Sequence, residues 1–204
     1  LFNWGDGKYW IMGSYYLRQW HKRWFADHKG PNVMLHDLSD DNCGFSISGP
    51  NATKIIQTIQ PDLDLSFMGC GTFDLGLLRC KVGRLSVTGE LGYEIHCHAN
   101  EHIALRRMLL AAGADHGLKE VGFNALLSLR IEKSFGIWSA EFTQDRTAAM
   151  TGMDRWIDWQ KPDFNGRDAA MKERDTGPDQ VLVTLGLNSP DADCAGYEPV
   201  WSDG

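Results

Sequence analysis

An alternating run near the middle of the chain constrains the fold more than any other feature. Residues 92–98 read Gly-Tyr-Glu-Ile-His-Cys-His, and successive side chains of a β-strand point to opposite faces of its sheet. This alternation places Tyr93, Ile95 and Cys97 on one face. Glu94 falls on the opposite face with the two histidines. The run therefore predicts a strand whose apolar face covers helices, with Glu94 as a solvent-facing residue on the other side.

Helical and strand-like patterns both occur along the chain and together predict a mixed α/β fold. Apolar side chains that recur every three or four residues mark the helices. The predicted helices cover 15–28, 50–60, 100–113, 122–133 and a short segment near 166–174. The third of these has Asn100 as its N-cap and Gly113 as its C-cap. The predicted strands cover 9–12, 33–39, 43–48, two runs that break at Gly83, the run that contains Glu94, and 181–187.

Aromatic side chains mark one face of the helix predicted over 15–28. Tyr16, Trp20 and Trp24 follow one another at four-residue spacing, so they share that face. Basic residues occupy other faces of the same helix. The pattern is typical of an amphipathic helix and predicts that its aromatic side chains pack on a sheet.

The helix predicted over 122–133 carries a charged side chain toward the core. Its apolar stripe consists of Phe123, Leu126, Leu127 and Ile131. Arg130 lies seven residues after Phe123 and therefore points partly into that stripe. A partly buried Arg needs a partner. The pattern leaves two partners open, an acidic group in an internal ion pair or the carboxylate of a ligand.

Composition narrows the classes of function. The net charge is -7 and the pI is about 5.4, which disfavours nucleic acid as a partner because its binding depends on Lys and Arg. The five cysteines form no C-x-x-C pair, which predicts reduced thiols in a reducing compartment. No apolar run approaches the ~20 residues of a membrane span, and no signal peptide is visible. We therefore expect a protein that is neither membrane-spanning nor secreted.

Of four familiar site motifs, two fail on spacing or context and two do not occur. His96 and His98 share a strand face, but no third ligand lies at a suitable spacing, so we expect solvated or hydrogen-bonded histidines and no metal. The glycines of segment 69–76 lack the strand-turn-helix context of a dinucleotide loop. Neither a phosphate-binding G-x-x-x-x-G-K-[ST] loop nor a G-x-S-x-G nucleophile elbow occurs.

Four segments, in order and spacing, resemble the folate-dependent aminomethyltransferase family, which includes the T-protein of the glycine cleavage system. They are GFSISGPNATKII (44–56), SVTGELGYEIHC (86–97), SLRIEK (128–133) and DFNGRDAA (163–170). The T-G-E-x-G-x-E piece is the most specific of them. Segments 10–28 and 128–145 look closer to one branch, the C-terminal folate domain of sarcosine and dimethylglycine dehydrogenases.

The resemblance implies a mixed α/β folate-binding domain followed by a small β-barrel domain. We expect the first over residues 1–175 and the start of the second over residues 176–204. The chain begins at Leu1 and ends on Asp-Gly, a hairpin turn signal without a return strand. Both ends therefore predict a fold that is truncated, with an unpaired strand edge near 181–201.

The resemblance also implies a folate site on the polar face of the strand over 92–98. It places pterin recognition on Glu94, the last Glu of the motif, whose carboxylate accepts two neighbouring N–H groups of the ring. Glu90 is expected in the turn. Trp156 lies where the family often has a Trp near the folate, so it is either an aromatic stacking partner or a core residue. Arg130 is the third candidate for contact with the cofactor.

The sequence departs from the family pattern at three places. Val87 stands where the family often has a Tyr, and Leu126 stands where T-proteins have the Arg that helps to hold the glutamate tail of folate. Tail recognition therefore falls to Arg130 or to another basic side chain. The family's essential Asp corresponds to a segment before residue 1. The resemblance consequently assigns no catalytic residue within this chain.

The implied function is tetrahydrofolate-dependent transfer of a one-carbon unit from an N-methyl amine, in a sarcosine or dimethylglycine dehydrogenase-like protein. Its cofactor is tetrahydrofolate. FAD belongs to a flavin amine dehydrogenase domain outside this chain, to which it is fused or bound. The implied compartment is the bacterial cytoplasm or the mitochondrial matrix. Two alternatives stay open, a non-catalytic folate-fold module and a tetrahydrofolate-dependent demethylase of another methyl donor, such as a sulfonium compound.

Overall fold

The computed structural model describes residues 1–138, 140–191, 194 and 196–201 and divides the chain into two compact units, 1–140 and 141–204. The strands are β1 (Phe2–Asn3), β2 (Tyr9–Trp10), β3 (Asn42–Ser48), β4 (Cys70–Leu75), β5 (Leu78–Gly83) and β6 (Gly92–His98). The α-helices are α1 (Arg18–His28), α2 (Ala52–Ile59), α3 (His102–Gly113), α4 (Phe123–Glu132) and α5 (Arg167–Thr176). The predicted mixed α/β fold is confirmed.

The central sheet of the first unit is antiparallel, with its strands in the order β3-β6-β5-β4. The strand with the alternating pattern, β6, therefore lies between two neighbours. A two-residue turn joins β4 to β5, and Gly76 supplies its left-handed backbone with φ of 59°. At the middle of the sheet Ser46 and Gly83 stand on either side of Glu94.

The predicted division of β6 into two faces is confirmed. Tyr93, Ile95 and Cys97 are buried in the core of the first unit, and α2 and α3 cover this face of the sheet. Ile56 from α2 and Leu105 from α3 are both fully buried there. Full burial of such a side chain contributes about 1.5–3 kcal/mol. The helices thus fix β6 so that its even-numbered side chains face away from the core.

A short hairpin of β1 and β2 lies against the opposite face of the sheet. Phe2 pairs with Trp10 across the hairpin, and its side chain is buried. Gly83 makes this approach possible, because a Cβ at that position would lie 2.4 Å from the Phe2 ring. The strand predicted over 9–12 is reduced to these two residues of β2.

Two other predicted strands are wrong. Residues 33–39 contain no strand, because their polar groups are bound locally: Asp37 forms ion pairs with Arg18 (2.7 Å) and Lys22 (3.2 Å). Residues 181–187 also contain no strand. The N–H of Leu182 donates a hydrogen bond to the carbonyl of Met150 at 2.8 Å, within the same unit. The domain boundary expected after residue 175 stays a prediction.

The strand run predicted beyond Gly83 is also wrong, since β5 ends at that residue. The segment that follows it turns back on itself at 87–90. The backbone of Arg84 still bonds to Met68 and Gly69, but the Ser86 and Thr88 side chains bond to each other in the turn.

The capping residues predicted for the third helix need correction. A 3₁₀ turn over 99–101 contains Asn100, and α3 begins only at His102. Gly113 is still inside α3. A second 3₁₀ turn follows it, and Gly117, with φ of 72°, provides the left-handed residue that ends the helical segment. Glycine is favoured there because other residues pay a steric cost at positive φ.

The aromatic face of α1 does not pack on a sheet as predicted. The exposed fraction is 96% for Tyr16 and over 40% for Trp20 and Trp24. The two Trp rings stack on each other instead, with centroids 5.6 Å apart. Trp20 and Trp24, at four-residue spacing, therefore pack against each other along the helix.

The apolar stripe predicted for α4 is confirmed only in part, at Leu126 and Leu127, which are half-buried. Phe123 and Ile131 are exposed, whereas Arg130 is buried. The predicted burial of Arg130 is thus confirmed, whereas the two ends of the predicted stripe are exposed.

Candidate functional site: the polar face of the central sheet

Glu94 lies at the centre of the polar sheet face. Its side chain is 26% exposed, so it is neither a core residue nor fully in solvent. The directly opposite residues are small, Ser46 on β3 and Gly83 on β5. The exposed Ser46 leaves room beside the carboxylate on the β3 side, whereas the Phe2 ring packs over Gly83 on the β5 side. This face can therefore admit a flat group that carries hydrogen-bond donors.

The His96 ring stands beside that carboxylate. Its Nε2 atom lies 3.6 Å from Oε2 of Glu94, and the side chain is 12% exposed. No residue that the structure describes gives this buried nitrogen a hydrogen bond. Gly44 lies directly across from His96 on β3, and a Cβ there would lie 2.8 Å from Nδ1 of the ring. The absence of a side chain at Gly44 makes space for the imidazole.

Aromatic side chains of the hairpin enclose the same face. The rings of Phe2 and Trp10 meet the His96 ring edge-on, with centroids 5.9 and 5.8 Å away. The ammonium group of Lys81 lies 4.4 Å from the centre of the Trp4 ring and 5.3 Å from that of Trp10. Such cation–π contacts are attractive. Burial, with the nearby charge of Lys8 as a further cause, lowers the pKa of Lys81.

A hydroxyl network shapes the turn that leads into β6. Oγ of Ser86 lies 2.8 Å from Oγ of Ser48 and 2.7 Å from Oγ1 of Thr88. The backbone N–H of Thr88 also donates to Ser86 Oγ at 3.1 Å. Thr88 is buried, so these bonds satisfy a polar group that would otherwise be costly to bury. Thr88, the first residue of the T-G-E motif, therefore stabilises this turn.

Glu90 has a different environment from Glu94, and its predicted place in the turn is confirmed. Its carboxylate forms an ion pair with Lys133 at 3.0 Å, and both side chains are about half exposed. Gly89, with φ of 70°, lies against the same Lys133, because a Cβ there would come within 2.7 Å of its side chain. Glu90 thus joins the turn to the end of α4.

Arg130 is a buried residue, with an exposed fraction of 5%. Its Nη1 donates a hydrogen bond to the carbonyl of Phe135 at 2.8 Å. This contact holds the chain just after α4 and accounts for part of the guanidinium's donors. The contact of Arg130 with a ligand carboxylate stays a prediction.

Trp156 belongs to the second unit and follows a different pattern. The exposed fraction of its side chain is 62%, so the interpretation of Trp156 as a core residue is wrong. The guanidinium of Arg155 lies 5.7 Å from the centre of its ring. The alternative, stacking of the ring on a ligand, stays a prediction.

Sequence reasoning missed the aromatic enclosure and the hydroxyl network. A signal for the first was present: Trp4 and Trp10 lie in an N-terminal segment rich in aromatic residues and glycines. Its contact with His96 depends on strand pairing that no local pattern reveals. The expectation of a solvated or hydrogen-bonded side chain fits the exposed His98 but is wrong for Nε2 of His96, which is buried without a hydrogen bond among the described residues. Within the described ranges, no three His, Cys, Asp or Glu side chains are placed to hold a metal ion.

An antiparallel sheet with helices on one face and a carboxylate-bearing polar face on the other defines a class of α/β domain. The model of the GCVT N-terminal domain family matches residues 1–161, and the chain belongs to this family. The chain is 30% identical to an aminomethyltransferase of Desulforamulus reducens over 165 residues, which cover 79% of the chain and 45% of that protein.

Two further relatives agree with this membership. The mitochondrial dimethylglycine dehydrogenase of Rattus norvegicus is 30% identical over 191 residues, 89% of the chain and 22% of that protein. An aminomethyltransferase of Clostridium botulinum is 31% identical over 184 residues, 87% of the chain and 50% of that protein. The chain therefore spans half or less of the length of these relatives. It is an aminomethyltransferase-like domain that is also related to dimethylglycine dehydrogenases.

No helix in the part of the chain that the structure describes is long and apolar enough to cross a membrane.

Proposed function

We propose that the chain is a tetrahydrofolate-dependent domain for one-carbon transfer and that Glu94 recognises the pterin ring. The observation that carries this proposal is the position of Glu94, half-buried at the centre of the polar sheet face between two small residues. Membership of the aminomethyltransferase-like family supports the choice of cofactor.

The chemistry of the donor set fits a pterin. A pterin ring presents an N–H and an amino group side by side, and one carboxylate can accept a hydrogen bond from each. Charge-assisted bonds of this kind are stronger than neutral ones. The exposed Ser46 leaves space for a flat ring on the β3 side of Glu94, and the Phe2 ring bounds this space on the β5 side over Gly83. The residues of this face therefore match the group that the family implies.

The residues of this chain would orient the cofactor and limit the access of water. Tetrahydrofolate, when bound, supplies the nitrogen atoms that take up a one-carbon unit. Glu94 would fix the ring, and the hydroxyl network around Ser86 would hold the turn from which β6 begins. The Phe2 and Trp10 rings would cover the face beside it. Orientation and desolvation of this kind lower the barrier of a transfer reaction.

The source of the one-carbon unit is a further part of the proposal. Relatives that are named dimethylglycine dehydrogenase favour an N-methyl amine as the donor. A flavin amine dehydrogenase domain with FAD, in the same or a partner protein, would oxidise this amine. We propose contacts of Trp156 with the folate ring system and of Arg130 with a carboxylate of the ligand as secondary recognition.

Calorimetric titration with tetrahydrofolate under anaerobic conditions tests the pterin assignment. Glu94→Gln should weaken binding by roughly 1.5–3 kcal/mol, the scale of a hydrogen bond to a charged group. Glu90→Gln is the matched control, because Glu90 lies in the preceding turn and pairs with Lys133. This variant should lose far less affinity. Equal losses in the two variants, or no loss at Glu94, would end the assignment.

A further inference from the structure

Beside Glu94 lies a buried ring nitrogen whose hydrogen-bonding capacity is unused in the part of the chain that the structure describes. Nε2 of His96 is buried and has no hydrogen-bond partner among the described residues. Buried polar atoms are nearly always satisfied, so an exception calls for a reason. The closest polar group on this face is Oε2 of Glu94, at 3.6 Å. This distance is too long for a hydrogen bond, but a small rotation of the Glu94 side chain would shorten it.

The ring that carries this nitrogen is held on three sides. Phe2 and Trp10 meet it edge-on from the hairpin. Gly44 leaves space for it on β3, since a Cβ there would lie 2.8 Å from Nδ1 of the ring. Such packing restricts the imidazole to one orientation, with Nε2 toward Glu94. The packing and the missing Cβ together preorganise the His96 ring for contact with Glu94. His98, two residues later, is exposed and has no such constraint.

We infer that His96 is a positioning residue for the Glu94 carboxylate. The inference rests on the proposed function, because it concerns the ligand that Glu94 recognises. When a ligand with paired donors engages Glu94, the carboxylate turns so that Oε2 also accepts a hydrogen bond from Nε2–H of His96. The ligand then meets a carboxylate that is fixed in orientation. Hydrogen bonds at functional sites are often long without ligand and tighten in the complex.

Two substitutions at His96 separate this role from simple packing. His96→Gln keeps a donor near the position of Nε2, and His96→Leu keeps a side chain of similar bulk without a donor. Calorimetric titration with tetrahydrofolate should show affinity within about 3-fold of the wild type for His96→Gln. For His96→Leu we expect a loss of roughly 5- to 20-fold. His98→Gln is the matched control on the same strand and face and should bind as the wild type does.

Equal affinities of the Gln and Leu variants would overturn the inference, because a packing role does not require a donor. So would a loss at His98→Gln as large as that at His96→Leu. Thermal unfolding of each variant, compared with the wild type, shows whether a lost affinity reflects a lost fold.

A measurement without ligand keeps the inference separate from the proposed function. In NMR spectra of the free protein, Glu94→Ala should shift the ring ¹⁵N and ¹³C resonances of His96 and leave those of His98 in place. If the wild type does not bind tetrahydrofolate, the proposed function fails, and a His96 shift would still show that the Glu94 carboxylate lies beside the His96 ring. Unchanged His96 resonances in Glu94→Ala would overturn the contact itself, whatever the protein binds.

Discussion

At the scale of single residues, Gly44 decides whether the polar face can form. It pairs with His96 across β3 and β6, and a Cβ there would lie 2.6 Å from the carbonyl of Ile95 and 2.8 Å from Nδ1 of His96. Real Cβ atoms do not approach backbone atoms so closely, so a side chain must move β3 or the ring. Glycine is required at position 44 because of the limited space around it, not because of its backbone conformation.

Gly44→Ala should therefore destabilise the protein. Overpacking of this kind costs about 1–3 kcal/mol, and we expect the cost as a lower midpoint in urea unfolding. Gly186→Ala is the control, because nothing lies within 4 Å of a Cβ at that position; its midpoint should stay within experimental error. Equal midpoints for Gly44→Ala and the wild type would show that β3 yields without cost.

At the scale of elements, a cluster of charges joins α1 to the segment before β3. Arg18 contacts Asp37 at 2.7 Å and Asp40 at 2.8 Å, and Lys22 contacts Asp37 at 3.2 Å. The guanidinium of Arg18, with hydrogen bonds from Ser39, holds the pKa of Asp37 well below its usual range. This cluster explains why 33–39 remains outside the sheet. It also ties down α1, none of whose residues is buried.

Asp37→Asn should lower Tm at neutral pH, because it removes the shared acceptor of both cations. A carboxyl whose folded-state pKa is depressed stabilises the fold above its unfolded pKa, and this contribution is lost as the pH falls through the folded pKa. The difference in Tm between Asp37→Asn and the wild type should therefore shrink progressively below about pH 4. Calorimetric scans across this pH range measure it.

Asp40→Asn serves as the control for that experiment. The Asp40 side chain is 70% exposed and contacts Arg18 alone in the cluster, so its loss should change Tm little. A Tm difference for Asp37→Asn that is constant from neutral to acidic pH would show that the ion pairs are not its cause.

The elements predicted correctly are those in which the local sequence pattern indicates which side chains are buried. The alternation in β6 correctly divides its side chains between core and polar face, and the apolar spacing correctly predicts α2. The failures have a common cause. Residues 33–39 are strand-like in composition, but Asp37 finds its cations on α1, and no local pattern contains that information.

In the candidate site too, the local sequence predicts some features, whereas others depend on distant residues. The position of Glu94 on the polar face follows from parity, which a strand cannot change without turning its core residues outward. The contact of His96 with the hairpin depends on residues more than 80 positions earlier in the chain. The need for glycine at positions 44 and 83 comes from the groups packed against them, which the local sequence does not show. Sequence reasoning can thus identify a functional side chain while missing the groups that hold it.

At the scale of the whole molecule, two buried thiols make stability depend on alkaline pH. Burial raises the pKa of Cys80 to about 11. Burial and a hydrogen bond with Cys43, whose Sγ lies 3.8 Å away, raise the pKa of Cys97 to about 12. Both residues are in the core around which α2 and α3 pack. The native state therefore keeps these two protons at a pH where the unfolded chain has released them.

The free energy of unfolding should consequently decrease as the pH rises above about 9, the ordinary pKa of these thiols. The unfolded state binds fewer protons than the native state in this range, so the slope of stability against pH is negative. The decrease should continue through the native pKa of each thiol. Urea unfolding from pH 8 to 11 measures the slope.

A variant with Cys80→Ala and Cys97→Ala should be less stable at pH 8, because two side chains in the core are shortened, yet its slope should be shallower. Lys and Tyr residues ionise in both proteins and cancel in the comparison. Parallel slopes would mean that these thiols titrate alike in the native and unfolded states, and the core would then be more open to hydroxide than its packing indicates.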